Sequence, residues 1–466
     1  MKKQYKNYYF TNNDSVYIVY DFENNKIISY PKDVCVDKVI NALEKVNSQN
    51  EFILSEDEQD LYFYLKKNLK DIKDIVPFNS FSYLSEEGFG ITSASLMIAQ
   101  NCNLCCTYCY GGEHGQYHSK TPFMSKETAL CAIKFLVRNN KSIDNEITIN
   151  FFGGEPLLNF ELIKFVVQIC ETDFQDLNFV FSLTTNATLI TEDIADFFRK
   201  HVFRVMVSID GYKEIHNYHR KYSDGKGSFS NAMRGIQILK ERGVEFRIRA
   251  TLDHKFYDKY YEINDFLKTL GADRVTISRL INYKDDSSEF PLDISKLRDE
   301  NKYLKSYVIH VVNEVLNGSF PKNFPLLSAF KKIVFAEKSL INCGAYVGGT
   351  AISSDGKLYP CHRFVGMKDF DFGNVFDGVD KEKLEKQLIS LDENTRYCNN
   401  CFGKYICQRS CLRDLAKSGG KYISHTREYC DILKETINDA LLNYYLIFST
   451  RPEFFNTTLN IQEEEL

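Results

Sequence analysis

Residues 96–110 read LMIAQNCNLCCTYCY, a short apolar strand followed by a loop that holds four cysteines. Three of them, Cys102, Cys106 and Cys109, have the spacing Cys-x3-Cys-x2-Cys. Three thiolates can hold a four-iron, four-sulfur cluster in which one iron lacks a protein ligand and can bind another molecule. Zinc is the alternative, because Cys-x2-Cys pairs also bind that metal. Cys105 lies out of register in the same loop, so we predict that it is not a ligand.

Five more apolar strands follow this one, and amphipathic helical segments separate them. The six strands are predicted at residues 96–99, 147–152, 179–183, 205–208, 246–250 and 274–277. Alternation of strand and helix is typical of a parallel α/β sheet, and six such units predict a partial (β/α)6 barrel. Loops at the carboxyl ends of such strands form the active site. The cysteine loop is one of these loops.

The composition is that of a globular protein and limits the classes of partner. The chain has 466 residues, enough for two or three domains, and 44% of them are hydrophobic. Its net charge of -5 argues against a nucleic acid partner. Without a signal sequence or a membrane-spanning apolar run, we predict a cytoplasmic protein with no membrane partner. In that reducing compartment, 14 clustered cysteines favour metal binding over disulfides.

A glycine-rich turn, Phe152-Gly153-Gly154-Glu155-Pro156, closes the second strand. Together with the cysteine loop, this turn resembles the GGEP segment of the radical S-adenosylmethionine (SAM) superfamily. The resemblance implies that the open iron binds the amino and carboxylate groups of SAM. An electron from the cluster would then cleave SAM to a 5′-deoxyadenosyl radical, which abstracts hydrogen from the substrate.

The same resemblance implies a set of SAM contacts at the strand ends. The turn's backbone and the Glu155 side chain would receive the SAM ammonium, because glycines permit a close approach. Residues after the third and fourth strands would contact the ribose and carboxylate, Arg249 could neutralise the carboxylate, and Tyr108 would pack near the adenine. Ordinary turn and strand-end polar residues are the alternative. The predicted cofactor-binding residues are Tyr108, Gly153, Gly154, Glu155, Pro156, Thr185, Asn186, Ser208 and Arg249.

Seven further cysteines lie in the last third of the chain, between residues 343 and 430. Their spacing closely resembles the SPASM domain, which follows the radical core in enzymes that modify ribosomally made peptides and proteins. The resemblance implies two auxiliary four-iron clusters, and zinc in a ribbon-like fold is the alternative. The implied ligands are Cys398, Cys401, Cys407 and Cys430 for an outer cluster, and Cys343, Cys361 and Cys411 for an inner one.

The inner set implies an iron without a protein ligand, because residues 344–360 contain no further cysteine. This iron could bind a substrate thiolate, a soft ligand suited to iron–sulfur sites. A carbon radical formed nearby would then yield a thioether. His362 stands where sulfatase-maturing relatives have an aspartate base, and that difference counts against their activity. No catalytic residue is assigned; His362 is a candidate for a local base or for a hydrogen-bonding role beside the cluster.

Together these parts resemble the thioether-forming ranthipeptide, or SCIFF-type, maturases, especially at residues 147–160. Such enzymes pair a leader peptide against a strand of a small N-terminal domain. Two β-rich runs at 16–21 and 26–30, followed by helical patterns near 36–43 and 61–69, predict a winged-helix-like module, with a packing extension as the alternative. The expected partners are a cysteine-rich precursor peptide with a leader and an electron donor such as flavodoxin or ferredoxin.

We therefore predict four segments: a leader recognition domain (1–85), a radical SAM core (86–318), a SPASM domain (319–450) and a frayed tail (451–466). The predicted function is the formation of cysteine sulfur-to-carbon thioether crosslinks in a ribosomal peptide. One alternative is another radical maturation, such as formylglycine formation, a carbon–carbon crosslink or epimerisation. The other is a non-catalytic iron–sulfur electron carrier or sensor. The predicted core thiols are Cys35, Cys131 and Cys170.

Overall fold

A computed structural model describes most of the chain. The described residues are 3–5, 8–12, 16–22, 26–31, 90–112, 115, 117, 120–140, 146–281, 293–321, 323–335, 339, 341, 343–417 and 419–459. The first of them form a four-stranded antiparallel sheet in chain order. Its strands are β1 (Lys3–Tyr5), β2 (Tyr8–Asn12), β3 (Val16–Asp21) and β4 (Lys26–Pro31).

This sheet confirms part of the predicted N-terminal organisation. β3 and β4 form the expected hairpin, with Val16 opposite Pro31 and Asp21 opposite Lys26. The two strands before it have no counterpart among the predicted elements. The helices predicted near 36–43 and 61–69, and Cys35, lie outside the described residues. The winged-helix-like module and the four segment boundaries therefore stay predictions.

The predicted (β/α)6 core is present, and its six strands run parallel with each strand beside its predecessor in the chain. Their carboxyl ends therefore meet at one edge. The strands are β5 (Ser93–Ala99), β6 (Glu146–Gly153), β7 (Asn178–Thr185), β8 (Arg204–Ser208), β9 (Phe246–Leu252) and β10 (Arg274–Arg279). The helices among them are α1 (Lys126–Asn139), α2 (Phe160–Asp173), α3 (Glu192–Lys200), α4 (Lys213–His219), α5 (Phe229–Glu241) and α6 (Tyr260–Thr269).

The two faces of this sheet differ in polarity because side chains alternate along each strand. In β6, Ile147, Ile149 and Phe151 are fully buried in the main core, which also includes the predicted core thiol Cys170. Asn150, on the other face, lines an open cavity. Helices cover the first face, and the second face forms a chamber.

The C-terminal part of the chain extends the same sheet past β5. β11 (Gly349–Ile352) pairs parallel with β5, and β12 (Leu358–Tyr359) pairs antiparallel with β11. The eight-stranded order is β10-β9-β8-β7-β6-β5-β11-β12. The Ser354 N–H also donates to Oε1 of Gln100, 2.9 Å away, just before the cysteine loop. The second cysteine region is thus joined to the edge of the barrel that carries the first.

The remaining elements surround this junction. The helices are α7 (Ile294–Leu316), α8 (Leu327–Val334), α9 (Lys381–Thr395), α10 (Lys404–Cys407), α11 (Leu412–Leu415), α12 (Arg427–Thr450) and α13 (Glu453–Leu459). The short strands are β13 (Gly373–Asn374), β14 (Gly378–Val379), β15 (Ala416–Lys417) and β16 (Lys421–Tyr422). Short 3-10 helices cover Pro156–Asn159, His254–Lys259, His362–Phe364 and Arg396–Asn400.

The prediction of a frayed tail from residue 451 is wrong for its first half. Residues 453–459 form α13, and Phe454 and Phe455 are fully buried against the main core. Burial of two phenylalanines stabilises this end by several kcal/mol, which exceeds what an exposed tail could gain. Within the described part of the chain, no helix is long and apolar enough to cross a membrane.

Candidate active site

The cysteine loop follows β5 and is clamped by main-chain hydrogen bonds. The N–H of Cys105 donates to the carbonyl of Lys221 at 2.7 Å, and the N–H of Thr107 donates to the carbonyl of His219 at 3.2 Å. Both carbonyls lie at the end of α4, which follows β8. The loop is therefore held across the carboxyl ends of the strands.

Gly153 and Gly154 allow the end of β6 to lie against this loop. Gly153 has a φ of 147°, and a Cβ there would lie 2.1 Å from the Ala99 carbonyl oxygen. A Cβ on Gly154 would lie 2.2 Å from the Asn101 carbonyl oxygen and 3.0 Å from Cys102 Cβ. A larger residue at either position would displace the loop. The close approach expected of this turn is therefore present beside Cys102.

Glu155 is 1% exposed and ties the glycine turn to the end of β7. Its Oε1 accepts from the Leu157 N–H at 3.1 Å and the Thr185 hydroxyl at 2.7 Å, and its Oε2 accepts from the Asn186 N–H at 2.7 Å. Burial raises the pKa of Glu155 to about 7, although these donors lower it. The side chain thus positions the two loops, and its contact with the SAM ammonium stays a prediction.

We expect Glu155→Gln to alter the pH dependence of stability in the metal-free protein. Because its pKa is raised from 4.5 to about 7, Glu155 stabilises the fold fully below pH 4.5, and this contribution is lost as the pH rises through 7. Each pKa unit corresponds to about 1.4 kcal/mol, so roughly 3 kcal/mol of pH-dependent stability should disappear in the variant. Urea unfolding at about pH 5 and about pH 8 measures it. Glu161→Gln, whose side chain is 79% exposed, should keep the wild-type profile; parallel profiles for Glu155→Gln and wild type would refute the expectation.

A cavity of about 1410 Å³ opens on the concave face of the sheet beside the loop. It exceeds the roughly 300–1,000 Å³ of typical small-molecule sites, so it has room for SAM and a segment of peptide. Glu155 and Pro156 are buried behind its wall. The predicted site residues that line it are Cys102, Cys106, Tyr108, Cys109, Gly153, Gly154, Thr185, Asn186, Ser208, Arg249 and His362.

A buried ion pair that the sequence patterns do not single out holds Tyr108 in place. Asp210 accepts from Nε and Nη2 of Arg220 at 2.8 and 3.2 Å, and from the Tyr108 hydroxyl at 2.7 Å. Burial would raise the pKa of Asp210, but the charge and hydrogen bonds of Arg220 bring it below its usual value. Only the acidic residue after the fourth strand hints at this pair in the sequence. Asp210 and Arg220 form a rigid support under the cysteine loop.

Arg220 is also a second candidate, beside Arg249, for neutralising the SAM carboxylate. Its side chain lines the cavity, and its charge acts on Cys106 and Cys109. The charge of Arg249 acts instead on His362, which also lines the cavity. Arginine is well suited to a carboxylate because its donors match the two oxygens. Arg220 is therefore a cationic side chain close to Cys106 and Cys109 on the cysteine loop.

Four C-terminal cysteines form an outer thiol group: Cys398, Cys401, Cys407 and Cys430. Burial raises the pKa of Cys407 to about 12, and the charges of the three other thiols add to this rise. Phe402 and Ile406, inside the same segment, pack with Tyr9 of the N-terminal sheet. The group coincides with the predicted outer ligand set, and cluster binding by it stays a prediction.

The other three form an inner thiol group: Cys343, Cys361 and Cys411. Burial raises the pKa of Cys361 to about 12, and the charges of Cys411 and Cys343 raise it further. His362 lines the cavity and stacks on Phe152 with ring centroids 4.4 Å apart. Burial lowers the pKa of His362 to about 3, with nearby arginines adding to the effect, so its imidazole is neutral. The inner thiol group thus lies just behind the cavity wall.

The ten predicted metal ligands fit iron–sulfur clusters by their chemistry. All ten are cysteines without a disulfide partner, and thiolates are the usual ligands of these clusters. Among the described residues, no three His, Cys, Asp or Glu side chains converge on a single-ion position as they are placed. The fit therefore rests on the thiols and on the glycine turn beside Cys102.

Comparison with known proteins places the chain in a family. The profile of the radical SAM superfamily matches residues 96–277. The chain is also 32% identical over 224 residues to the uncharacterized protein MJ0907 of Methanocaldococcus jannaschii, an alignment that covers 48% of this chain and 75% of that one. The chain belongs to the radical SAM superfamily. Membership implies SAM and one four-iron cluster as cofactors, and it favours an enzyme over the non-catalytic alternative.

Other radical SAM proteins resemble this chain beyond the core. A cysteine-type anaerobic sulfatase-maturating enzyme of Clostridium perfringens is 28% identical over 397 residues, covering 79% of this chain and 99% of that one. A crystal structure of Streptococcus suis SuiB bound to precursor peptide SuiA has a TM-score of 0.51 at 16% identity, covering 91% of this chain and 99% of that one. These similarities support the radical SAM α/β fold and a relationship to maturases. The two auxiliary clusters stay predictions.

Proposed function

We propose that this radical SAM enzyme forms thioether crosslinks between a cysteine sulfur and a carbon of a ribosomally made, cysteine-rich peptide. The observation that carries the proposal is a shared cavity. His362 and Arg363, which follow Cys361, line the cavity that Cys106 and Cys109 also line. A peptide in this cavity would lie between the two thiol groups, so a sulfur held at one side meets a carbon activated at the other.

In this scheme, different residues of the chain would hold the cofactors, orient SAM and line the cavity. Bound at the loop of Cys102, SAM and a four-iron cluster would supply the radical that takes one hydrogen atom from a substrate carbon. Arg220 would hold the SAM carboxylate, and the glycine turn at Gly153 and Gly154 would receive the ammonium. The stacked rings of Phe152 and His362 line the cavity and would limit the entry of water beside the bound substrate.

The inner thiol group suits the sulfur side of the reaction. Three thiolates there would hold a cluster with one open position, and a substrate thiolate is a soft ligand for it. Forming the carbon–sulfur bond removes one hydrogen atom from carbon, one proton from the thiol and one electron. The 5′-deoxyadenosyl radical formed from SAM would take the hydrogen atom, solvent would take the proton, and a cluster held by Cys343, Cys361 and Cys411 would accept the electron. The product is therefore two hydrogens lighter than the peptide.

The N-terminal sheet supports leader recognition in this proposal. Among the strands that the structure describes, β1 and β4 are the outer two of this sheet, and an extended leader could add to either of them. The sheet is anchored to the body, because the Tyr9 ring stacks on Phe402 at 3.7 Å and its hydroxyl donates to Asn438 at 2.9 Å. A small electron donor such as flavodoxin or ferredoxin would reduce the first cluster.

Another radical maturation is the second candidate, and the sulfatase-maturating relative favours it. That enzyme is 28% identical to this chain, and the alignment covers 79% of this chain. His362 replaces the expected aspartate base of such enzymes, which counts against formylglycine formation here. The state of the substrate thiols distinguishes the two candidates. Only thioether formation bonds a cysteine sulfur to a second residue.

Mass spectrometry of an anaerobic reaction tests the proposal. The reaction contains the reconstituted enzyme, SAM, a reductant and a cysteine-rich peptide encoded beside this protein. We expect a loss of two hydrogens per event and modified cysteines that iodoacetamide no longer alkylates. Formation of 5′-deoxyadenosine with every peptide thiol still reactive would exclude thioether formation while leaving the radical core intact.

A further inference from the structure

Arg363 connects the inner thiol group to the first cysteine loop. Its Nη1 donates to Cys411 Sγ at 2.9 Å and lies 3.9 Å from a carboxylate oxygen of the buried Asp414. Its guanidinium carbon is 5.7 Å from the ring centroid of Tyr110, which directly follows Cys109. The side chain is 23% exposed and lines the cavity. One cation therefore touches both thiol-bearing segments.

The charge of Arg363 acts on the whole inner thiol group. Besides its hydrogen bond to Cys411, it acts electrostatically on Cys343 and Cys361. A cationic donor on a ligand sulfur favours the more negative, reduced form of an iron–sulfur cluster, because hydrogen bonds to the sulfurs and local charge set the reduction potential. Asp414 lies 3.9 Å from Nη1, and its negative charge acts on Cys411 in the direction opposite to that of Arg363.

We propose that Arg363 is a positioning residue that makes the inner thiol site a better electron acceptor during crosslinking. The inference rests on the proposed function, because it requires a cluster on Cys343, Cys361 and Cys411. In the balanced step, the carbon–sulfur bond forms as one electron passes from the joined substrate atoms to this cluster, which goes from its oxidised to its one-electron reduced state. Arg363 stabilises the added negative charge. It also lines the cavity in which the sulfur and the carbon would meet.

Redox titration followed by electron paramagnetic resonance tests the inference in the full-length chain. Cys102, Cys106 and Cys109 are replaced by alanine so that only auxiliary clusters contribute, and the signal that Cys361→Ala removes is assigned to the inner cluster. We expect Arg363→Gln to lower the equilibrium constant for reducing this cluster about tenfold or more, which is ~59 mV toward negative potential. Arg363→Lys, which keeps the charge, should restore part of the shift. The outer cluster's potential should not move.

Two controls separate this role from a structural one. Arg396→Gln removes an exposed cation two residues from Cys398 and should leave the inner potential unchanged. If Arg363→Gln loses the inner cluster, the inner-cluster potential of Arg363→Lys tests the inference instead. An arginine with a purely structural role would leave that potential at the wild-type value. An unchanged inner potential in both variants overturns the inference and leaves the proposed function standing. If Cys361→Ala removes no signal from the spectrum, no inner cluster is present, and the proposed function itself is overturned.

Discussion

Replacement of Cys102, Cys106 and Cys109 by alanine is expected to abolish the cleavage of SAM to 5′-deoxyadenosine. These three side chains are the thiols of the loop clamped across the strand ends, and they line the cavity beside the glycine turn. Without them no iron is available to bind and reduce SAM, so the effect is complete rather than partial. Chromatography of an anaerobic reaction with dithionite measures the product, and iron should fall from about twelve to about eight per chain.

Cys105 provides a matched control from the same loop. Its main-chain N–H clamps the loop to Lys221, and this bond does not depend on the side chain. Cys105→Ala should therefore keep the iron content and the cleavage rate of the wild type. If Cys105→Ala instead loses four irons while Cys106→Ala keeps them, the assignment of ligands within this loop is wrong.

Removal of the Asp210 carboxylate is expected to destabilise the metal-free protein by about 3–5 kcal/mol, the cost of leaving one member of a buried ion pair alone. Asp210→Asn leaves the buried guanidinium of Arg220 without its charge partner and weakens the acceptor of the Tyr108 hydroxyl. The pKa of Asp210 lies below its usual 3.8, so the pair contributes at neutral pH and is lost only in stronger acid. Urea unfolding at neutral pH measures the free energy of unfolding.

An exposed aspartate and a double variant test whether burial of the charge causes this loss. Asp265→Asn removes a carboxylate that is 70% exposed and pairs with Lys268, so it should cost at most about 1 kcal/mol. Replacing Arg220 by methionine in the Asp210→Asn background removes the unpaired charge and should recover part of the stability. A similar loss for Asp210→Asn and Asp265→Asn would show that the buried pair has no special role.

The cysteine spacing and six apolar strands suffice to predict the core, because both depend on local sequence. Strand burial appears as period-2 patterns, and loops at the carboxyl ends of parallel strands must meet. The Asp210–Arg220 pair is different, since its members are separated by ten residues whose path depends on α4. Neither residue has a neighbouring sequence signal that identifies its partner. The buried ion pair that supports the cysteine loop is therefore harder to predict from the sequence than the cysteine ligands are.

One strand that was not predicted and one wrong prediction near the C-terminus have a similar physical origin. β11 is only four residues, Gly349–Ile352, and all four are buried, so no alternation distinguishes it from a turn. Its partner in the sheet, β5, lies some 250 positions earlier in the chain. Phe454 and Phe455 precede a polar segment, so the local sequence does not indicate that they are buried. Their contacts with the main core hold this segment as part of α13. Tertiary contacts over long sequence distances decide both cases.

The pairing of β11 with β5 also imposes a delay during synthesis, because the ribosome makes β5 long before β11. At about 5–20 residues per second, a ribosome needs roughly ten to fifty seconds between emitting these two strands. Throughout that interval the free edge of β5 can pair with a neighbouring chain, which makes the unfinished product prone to aggregation. The wall that carries Arg363 and His362 is also missing until the last third emerges. Iron delivered before release would therefore meet a chamber that lacks this wall.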